Sequence, residues 1–160
     1  LERSLEVDMA EDALLLAIEP LILGRKAMGE TVRIGDLRDH WRIRSNGRRV
    51  HAEELRLDGD IEHLTNAAPL LSGYSCSATV LLAGPGAEQH LDAVRDLLET
   101  LDQSSEQTGA SAWDGRLVIR LLAESGMALR CVVIPLIRLL LERMTPKERP
   151  AVLLPRVWTT

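Results

Sequence analysis

The sequence predicts an α+β fold in which mostly antiparallel strands come first and a strand–helix–strand–helix segment follows. Three observations support this prediction. Polar and apolar residues alternate over residues 4–8, as they do in a half-buried strand. The pair Asn46-Gly47 separates two strand-like runs and is the strongest short signal for a hairpin. Apolar residues then recur at helical spacing over residues 91–101 and fill most of residues 125–144.

The composition indicates one globular domain, residues 1–160, with an aliphatic core. Of the 160 residues, 46% are hydrophobic, 27% are charged and only 2% are aromatic, with no phenylalanine. The net charge of −5 and the scarcity of aromatic rings argue against a nucleic-acid binder. Because the chain starts with Leu1 and not with methionine, we interpret it as a fragment of a longer protein.

No secretory signal peptide and no membrane span are visible in the sequence. The longest apolar stretch, residues 131–141, is interrupted by Pro135 and Arg138 and is too short to cross a bilayer. We therefore expect a cytoplasmic protein that does not bind membranes.

The charge is divided unequally along the chain. Residues 24–56 hold nine Arg and Lys against five Asp and Glu, whereas residues 57–112 hold nine Asp and Glu against one Arg. This polarity suits a protein that docks on other proteins, although two separately solvated faces would produce the same counts.

The first strands are predicted from local patterns. Residues 13–23 are almost continuously apolar, and Pro20 within them indicates a sheet edge or a bulge. A two-residue Asn-Gly turn would place Ser45 opposite Arg48. The same register pairs Ile43 with Val50 and Trp41 with Ala52 on the apolar side, and Arg44 with Arg49, Arg42 with His51 and His40 with Glu53 on the polar side.

A three-residue bulged loop would shift every one of these pairs by one place. The elements after the hairpin are predicted from composition and helical spacing. In chain order they are a loop over 65–76, a strand over 77–83, a helix over about 87–101, a polar linker over 102–111, a strand over 113–123 and a helix over about 125–144.

No catalytic motif is found, so we do not expect an enzyme. The stretch "LILGRKAMGE" at residues 21–30 lacks the spacing of a phosphate-binding loop. Nucleophile motifs and zinc-type Cys/His spacing are also absent from the sequence.

One group of residues in the hairpin could bind a metal. In the predicted register His40 lies opposite Glu53, and His51 lies diagonal to His40. Imidazole and carboxylate ligands suit Ni²⁺, Zn²⁺ or Cu²⁺. An exposed strand face with a minor charge pair is the alternative. A looser acidic set, predicted to be a solvated loop, comprises Asp58, Asp60, Glu62 and His63.

Four stretches in order along the chain resemble the UreD family of urease accessory proteins, also called UreH. They are "LILGRKAMGE", "LRDHWRIRSNGRRVHAEELRLDGD", "GASAWDGRLVIRLLA" and "LPRVW". His51 and Asp114 depart from the family's pattern, which has tryptophan and asparagine there. The residues that carry the family motifs are Gly24, Arg25, Gly29, Glu30, Trp41, Asp58, Gly59 and Trp113.

The resemblance implies a non-catalytic scaffold for nickel insertion into the urease active site. Its implied partners are urease apoprotein, the accessory protein UreF and, through UreF, the GTPase UreG. The implied fold is a helical stack of strands with a few helices, whose N-terminal part this chain lacks. The resemblance implies no tightly bound cofactor and at most transient contact with nickel. The alternative function is a small transition-metal-binding module that acts through the hairpin cluster alone.

Overall fold

The computed structural model describes residues 1–24, 29–30, 32–67, 71–101 and 106–144. These residues form seven strands, three α-helices and one 3₁₀ turn. The strands are β1 (Glu2–Met9), β2 (Leu15–Ile22), β3 (Ile34–Ser45), β4 (Arg48–Asp60), β5 (Cys76–Ala83), β6 (Glu106–Trp113) and β7 (Arg116–Ala123). The helices are α1 (Ile61–Asn66), α2 (Leu91–Leu101) and α3 (Gly126–Met144), and the 3₁₀ turn covers Ala87–His90.

The strands form two sheets. The first has the order β1-β3-β4, with β1 parallel to β3 and β4 antiparallel to it. The second has the order β2-β5-β7-β6 and is antiparallel throughout. The predicted α+β class with mostly antiparallel strands is therefore confirmed. The helical stack implied by the resemblance stays a prediction about the longer protein.

The two faces of the second sheet belong to different cores. Alternate residues of β5 and β7 pack against α2 and α3, and the residues between them face the first sheet. The largest core cluster, on the helical side, includes Val80, Leu82, Val94, Leu117, Ile119, Val133, Leu136 and Leu140. The apolar cluster between the sheets comprises Met9, Ala17, Trp41, Ile43, Leu81, Ala83 and Val118.

The predicted Asn-Gly hairpin is present. Asn46 and Gly47 have φ values of 50° and 73°, as a type I′ turn requires. Ser45 lies opposite Arg48, and the next pair along the ladder also follows the predicted register.

Beyond those two pairs the predicted register is wrong. The ladder shifts after Arg44, so that Ile43 lies opposite His51 and Val50 has no partner on β3. This β-bulge displaces every later pair by one residue. His40 consequently lies opposite Glu54 and not opposite Glu53.

The segment after α2 also differs from the prediction. The predicted linker contains an edge strand, β6, and the predicted strand 113–123 is divided by a turn. The turn residues Asp114 and Gly115 have φ values of 46° and 71°. Asp-Gly is itself a hairpin signal, and the structure shows that it joins β6 to β7.

The acidic set predicted to be a loop belongs to regular elements. Asp58 and Asp60 end β4, and Glu62 and His63 lie in α1. The Asp60 carboxylate accepts a hydrogen bond from the His63 backbone N–H at 2.9 Å and thereby caps α1. The helix starts inside what the sequence presents as a polar, loop-like stretch because Asp60 supplies its N-cap.

Helix α3 is mainly a core element. It continues through Pro135, and six of its apolar side chains are buried. Arg138 and Glu142, which lie four residues apart, are exposed and mark its solvent-facing edge. No helix among the described residues is long and apolar enough to cross a membrane. The buried residues are Leu129, Val132, Val133, Leu136, Ile137 and Leu140.

Candidate functional site

A polar group lies between the two sheets, where apolar side chains would be expected. We call it the Glu53 cluster, and it comprises His51, Glu53, Thr79 and Arg120. The Glu53 Oε1 atom accepts hydrogen bonds from Arg120 Nη1 at 2.7 Å and from Thr79 Oγ1 at 3.3 Å. The cluster therefore links β4 of the first sheet to β5 and β7 of the second.

The second carboxylate oxygen of Glu53 faces a histidine. The Nε2 atom of His51 lies 3.5 Å from Glu53 Oε2, and both atoms are buried. Within the described part of the chain, neither atom has a hydrogen-bond partner of normal geometry. Burial alone would raise the pKa of Glu53, but the adjacent His51 imidazole and Arg120 guanidinium lower it to about 2. Glu53 is therefore an ionised carboxylate at neutral pH.

The β-bulge explains why His51 is in this cluster. Because Val50 is left unpaired, His51 lies opposite the fully buried Ile43 and faces the second sheet. His40 lies between Asp39 and Trp41, which are both buried against that sheet, so its own side chain is on the opposite face.

The structure thus brings His51 and Glu53 together but separates His40 from them. The predicted pairing of His40 with Glu53 is wrong. The described ranges contain no group of three or more His, Cys, Asp and Glu residues placed to hold a metal ion. His51 Nε2 and Glu53 Oε2 supply two potential ligands, whereas a closed structural zinc site uses about four.

A second ion group lies beside the first and was not predicted from the sequence. Arg3 contacts Glu19 at 2.5 Å and Asp39 at 2.9 Å, and these atoms join β1, β2 and β3. Burial raises the pKa of Glu19, Arg3 opposes this increase, and the nearby charge of Asp39 adds to it. The partners are far apart in sequence, so no local pattern indicates the contact.

A cavity of about 530 Å³ opens next to the Glu53 cluster. Its polar lining includes Ser77, Thr79 and Arg120, and its apolar lining includes Leu21 and Leu55. A smaller cavity of about 40 Å³ lies between the two ion groups and shares Glu53 and Thr79 with the larger one. Polar, partly open space therefore lies beside the Glu53 cluster, between β4 of the first sheet and β5 and β7 of the second.

The Glu53 cluster should make stability depend on pH. Because the pKa of Glu53 falls from 4.5 to about 2 on folding, its contribution is complete above pH 4.5 and is lost as pH falls toward 2. We expect Glu53→Gln to reduce the free energy of unfolding by about 1–2 kcal/mol at neutral pH, after discounting for partial exposure. Urea unfolding at several pH values should show this difference shrinking below pH 4.5.

The matched control is Glu54→Gln. Glu54 is exposed and lies 3.3 Å from Arg42 at the surface, so its replacement should cost less than about 0.5 kcal/mol at any pH. Glu19, whose pKa shifts the opposite way, is common to both proteins and cancels in the comparison. A loss in Glu53→Gln that is constant with pH would contradict this assignment.

The family-motif residues lie in several places. Gly24 and Gly29 have φ values of 79° and 73°, Gly59 has a φ of 83°, and Glu30 is exposed. Arg25 lies outside the described residues. Trp41 is buried between the sheets, and the exposed carboxylate of Asp58 pairs with Arg56 at 2.9 Å. The glycines occupy positions with positive φ, which glycine adopts without steric cost.

Trp113, unlike the buried motif residue Trp41, is 42% exposed. The Arg116 guanidinium lies 5.0 Å from the centre of its ring. Arg116 also donates to the carbonyl of Val50, the bulge residue, and contacts Asp114 at 3.1 Å. The bulge, Arg116 and Trp113 are thus one connected unit that holds an exposed tryptophan at the tip of the β6–β7 hairpin.

Comparison with known proteins identifies the family. A family model described as UreD urease accessory protein matches residues 1–159. A curated "Urease accessory protein UreD" from Rhizobium leguminosarum bv. viciae is 47% identical over 158 residues, which cover 99% of this chain and 53% of that protein.

Proteins of the same name from two further species show similar agreement. The protein from Rhizobium rhizogenes (strain K84) is 48% identical over 158 residues, covering 99% of this chain and 53% of its own length. The protein from Sinorhizobium medicae is 45% identical over 159 residues, which cover 99% of this chain and 54% of that protein. The chain spans about half the length of the curated relatives it matches. Since the match extends over nearly the whole chain, the chain belongs to the UreD family of urease accessory proteins.

Proposed function

We propose that the full-length protein is a non-catalytic scaffold for urease maturation in the cytoplasm. It binds urease apoprotein and UreF, and through UreF the GTPase UreG, while nickel is inserted into urease. The observation that carries this proposal is the 47% identity, over 99% of the chain, to a protein named for that accessory role. Nickel is cargo in this proposal, and its contact with the scaffold is transient.

The surface of the residues that the structure describes supports a binding role. Trp113 is exposed, yet its orientation is held by the stacked guanidinium of Arg116. Tryptophan and arginine are the residues most enriched at the energetic centres of protein interfaces. A side chain that is ordered before binding loses less conformational entropy when a partner covers it. We therefore propose that Trp113 contacts a maturation partner.

A pull-down with tagged full-length protein tests the scaffold proposal. Urease apoprotein and UreF should be captured together from cells that express the urease proteins. Removing the region that corresponds to residues 1–160 should abolish the capture of at least one of them. Equal capture of both proteins by the truncated form would contradict the proposal.

Replacing Trp113 tests its role separately. We expect Trp113→Ala in the full-length protein to weaken the binding of urease apoprotein or UreF by about thirtyfold, the effect of losing one strong interface residue. Titrations with each purified partner measure the change, and circular dichroism checks the fold.

Met127→Ala is the matched control for that variant. Met127 is also apolar and is 71% exposed, but it lies elsewhere on the molecule. Gly126, the residue before it, is next to Ile22 at the end of β2. Trp113 lies at the other end of the second sheet, next to the turn that precedes Arg116. If Trp113→Ala binds both partners with unchanged affinity, Trp113 is not part of either interface.

A further inference from the structure

Two buried polar atoms of opposite chemistry lie near each other between the sheets. Arg3 contacts Glu19 and Asp39 through its two terminal nitrogens, and we call these three residues the Arg3 group. The remaining nitrogen of Arg3, Nε, is buried and has no hydrogen-bond partner among the described residues. In the Glu53 cluster, Oε1 accepts from Arg120, while the buried Oε2 has no partner of normal geometry in the same part of the chain. One atom is a donor and the other an acceptor.

Such atoms are costly to leave unpaired inside a protein. Native structures pair nearly all buried polar atoms, either with another part of the chain or with an ordered water molecule. Both atoms are enclosed by residues of this chain, so a segment or partner on the outside cannot contact them without displacing those residues. Their partner must therefore lie in the interior.

The small cavity between the two ion groups has the size for such a partner. Its volume is about 40 Å³, and its lining includes Arg3, Glu53, Ser77 and Thr79. A single water molecule requires roughly 10–15 Å³ of such space, so at least one fits. Cavities that stay empty in proteins are apolar, whereas polar cavities of sufficient size hold water. The charged and hydroxyl groups around this cavity place it in the second class.

Water also has the hydrogen-bonding capacity that the two atoms require. It can accept a hydrogen bond from the Arg3 Nε–H group and donate one to Glu53 Oε2. The hydroxyl group of Ser77 borders the same space and supplies a third polar partner. Buried water molecules typically make about three hydrogen bonds. A molecule placed here would join β1 and β4 of the first sheet to β5 of the second.

We propose that this cavity binds at least one ordered water molecule, which links the Arg3 group to the Glu53 cluster. The two ion groups then form one hydrogen-bonded network that holds the two sheets together through polar contacts. Neither the family match nor the proposed scaffold role requires this site, and its failure would leave both unchanged.

A crystal structure of the full-length protein tests the site directly. We expect electron density for a water molecule within about 3.2 Å of the Glu53 carboxylate and of Arg3 or Ser77. A cavity without ordered density would overturn the proposal. Density with ligand distances of about 2.0–2.2 Å and anomalous scattering would identify a metal ion and would also overturn it.

A double-mutant cycle tests whether the water links the two ion groups. Arg3→Lys keeps a positive charge near Glu19 and Asp39 but removes the Nε–H donor. We expect it to lower the folding equilibrium constant of the full-length protein about tenfold, but only about twofold when Glu53→Gln is already present, because residues of one network are energetically coupled. Urea unfolding measures both effects. A coupling below twofold would overturn the network.

Ser77→Val separates a water-mediated link from direct attraction between the charges. The larger apolar side chain removes the hydroxyl group and fills part of the cavity, so the coupling between Arg3 and Glu53 should fall below twofold. Ser111→Val makes the same change at an exposed position of β6 and should leave the coupling intact. A coupling that persists in Ser77→Val would overturn water as the link. If Ser77→Val does not fold, the crystal structure of the unmodified protein decides the question.

Discussion

Leu140→Asp should unfold the protein. Leu140 is fully buried in the core between α3 and the second sheet. An aspartate there would be an unpaired charge in an apolar environment, and such substitutions cost about 3–5 kcal/mol in addition to the lost packing. That loss is comparable to the total stability of a marginally stable domain. Circular dichroism and thermal melting should show no cooperative transition at room temperature and above.

The matched control is Arg138→Asp on the same helix. Arg138 is exposed, so the same new side chain should lower stability by less than about 1 kcal/mol. Leu141 is half-buried, so the loss of stability in Leu141→Asp should lie between those of Leu140→Asp and Arg138→Asp. A Leu140→Asp protein that melts within about 2 °C of the unmodified protein would contradict the placement of α3 in the core.

Among the glycines whose surroundings the structure describes, Gly84 should tolerate replacement by alanine least well. Gly84 has a φ of 129°, and a Cβ atom added there would lie 2.2 Å from the carbonyl oxygen of Ala13. Both the backbone conformation and the close contact exclude a side chain, since a backbone oxygen cannot move aside as a flexible side chain can. We expect a loss of about 3 kcal/mol or more in urea unfolding.

The variant Gly47→Ala separates the effect of the backbone conformation from the effect of the close contact. Gly47 also has a positive φ, 73°, but a Cβ atom there would meet nothing within 4 Å. Its replacement should therefore cost only about 1 kcal/mol, the conformational part of the effect. Equal losses of stability in Gly84→Ala and Gly47→Ala would show that the close approach of Ala13 to Gly84 does not affect stability.

The elements that could be predicted are those with a strong local signal. Asn46-Gly47 specifies a turn that few other residue pairs adopt, and the hairpin is present with the predicted first pairs. Helices α2 and α3 follow from apolar spacing and run within a few residues of the predicted ranges. These signals depend only on residues that are close together in sequence.

The bulge could not be predicted in the same way. A turn fixes the register only of the pairs beside it, and the shift at Val50 is stabilised by Arg116 of the other sheet, 66 residues away. Edge strand β6 was missed because its small polar residues do not alternate with apolar ones. Its one local signal was the Asp114-Gly115 turn that follows it.

The candidate site depends on those same non-local features. Glu53 and Arg120 are 67 residues apart, and Arg3 and Asp39 are 36 apart. A one-residue error in register places His51 on the wrong face and suggests a metal-binding group with His40 that the fold separates. The family could be recognised in spite of this error because its motifs are read from residue identities and not from pairing.

If the proposed function holds, the full-length protein is required for nickel insertion into urease. The most direct test is to purify urease from cells that express all the urease proteins and from otherwise identical cells that lack only this one. Metal analysis and urease activity are then measured on both preparations. We expect urease that is assembled but nearly free of nickel and inactive when this protein is absent, with recovery when its gene is restored. Equal nickel content and equal activity in the two preparations would contradict it.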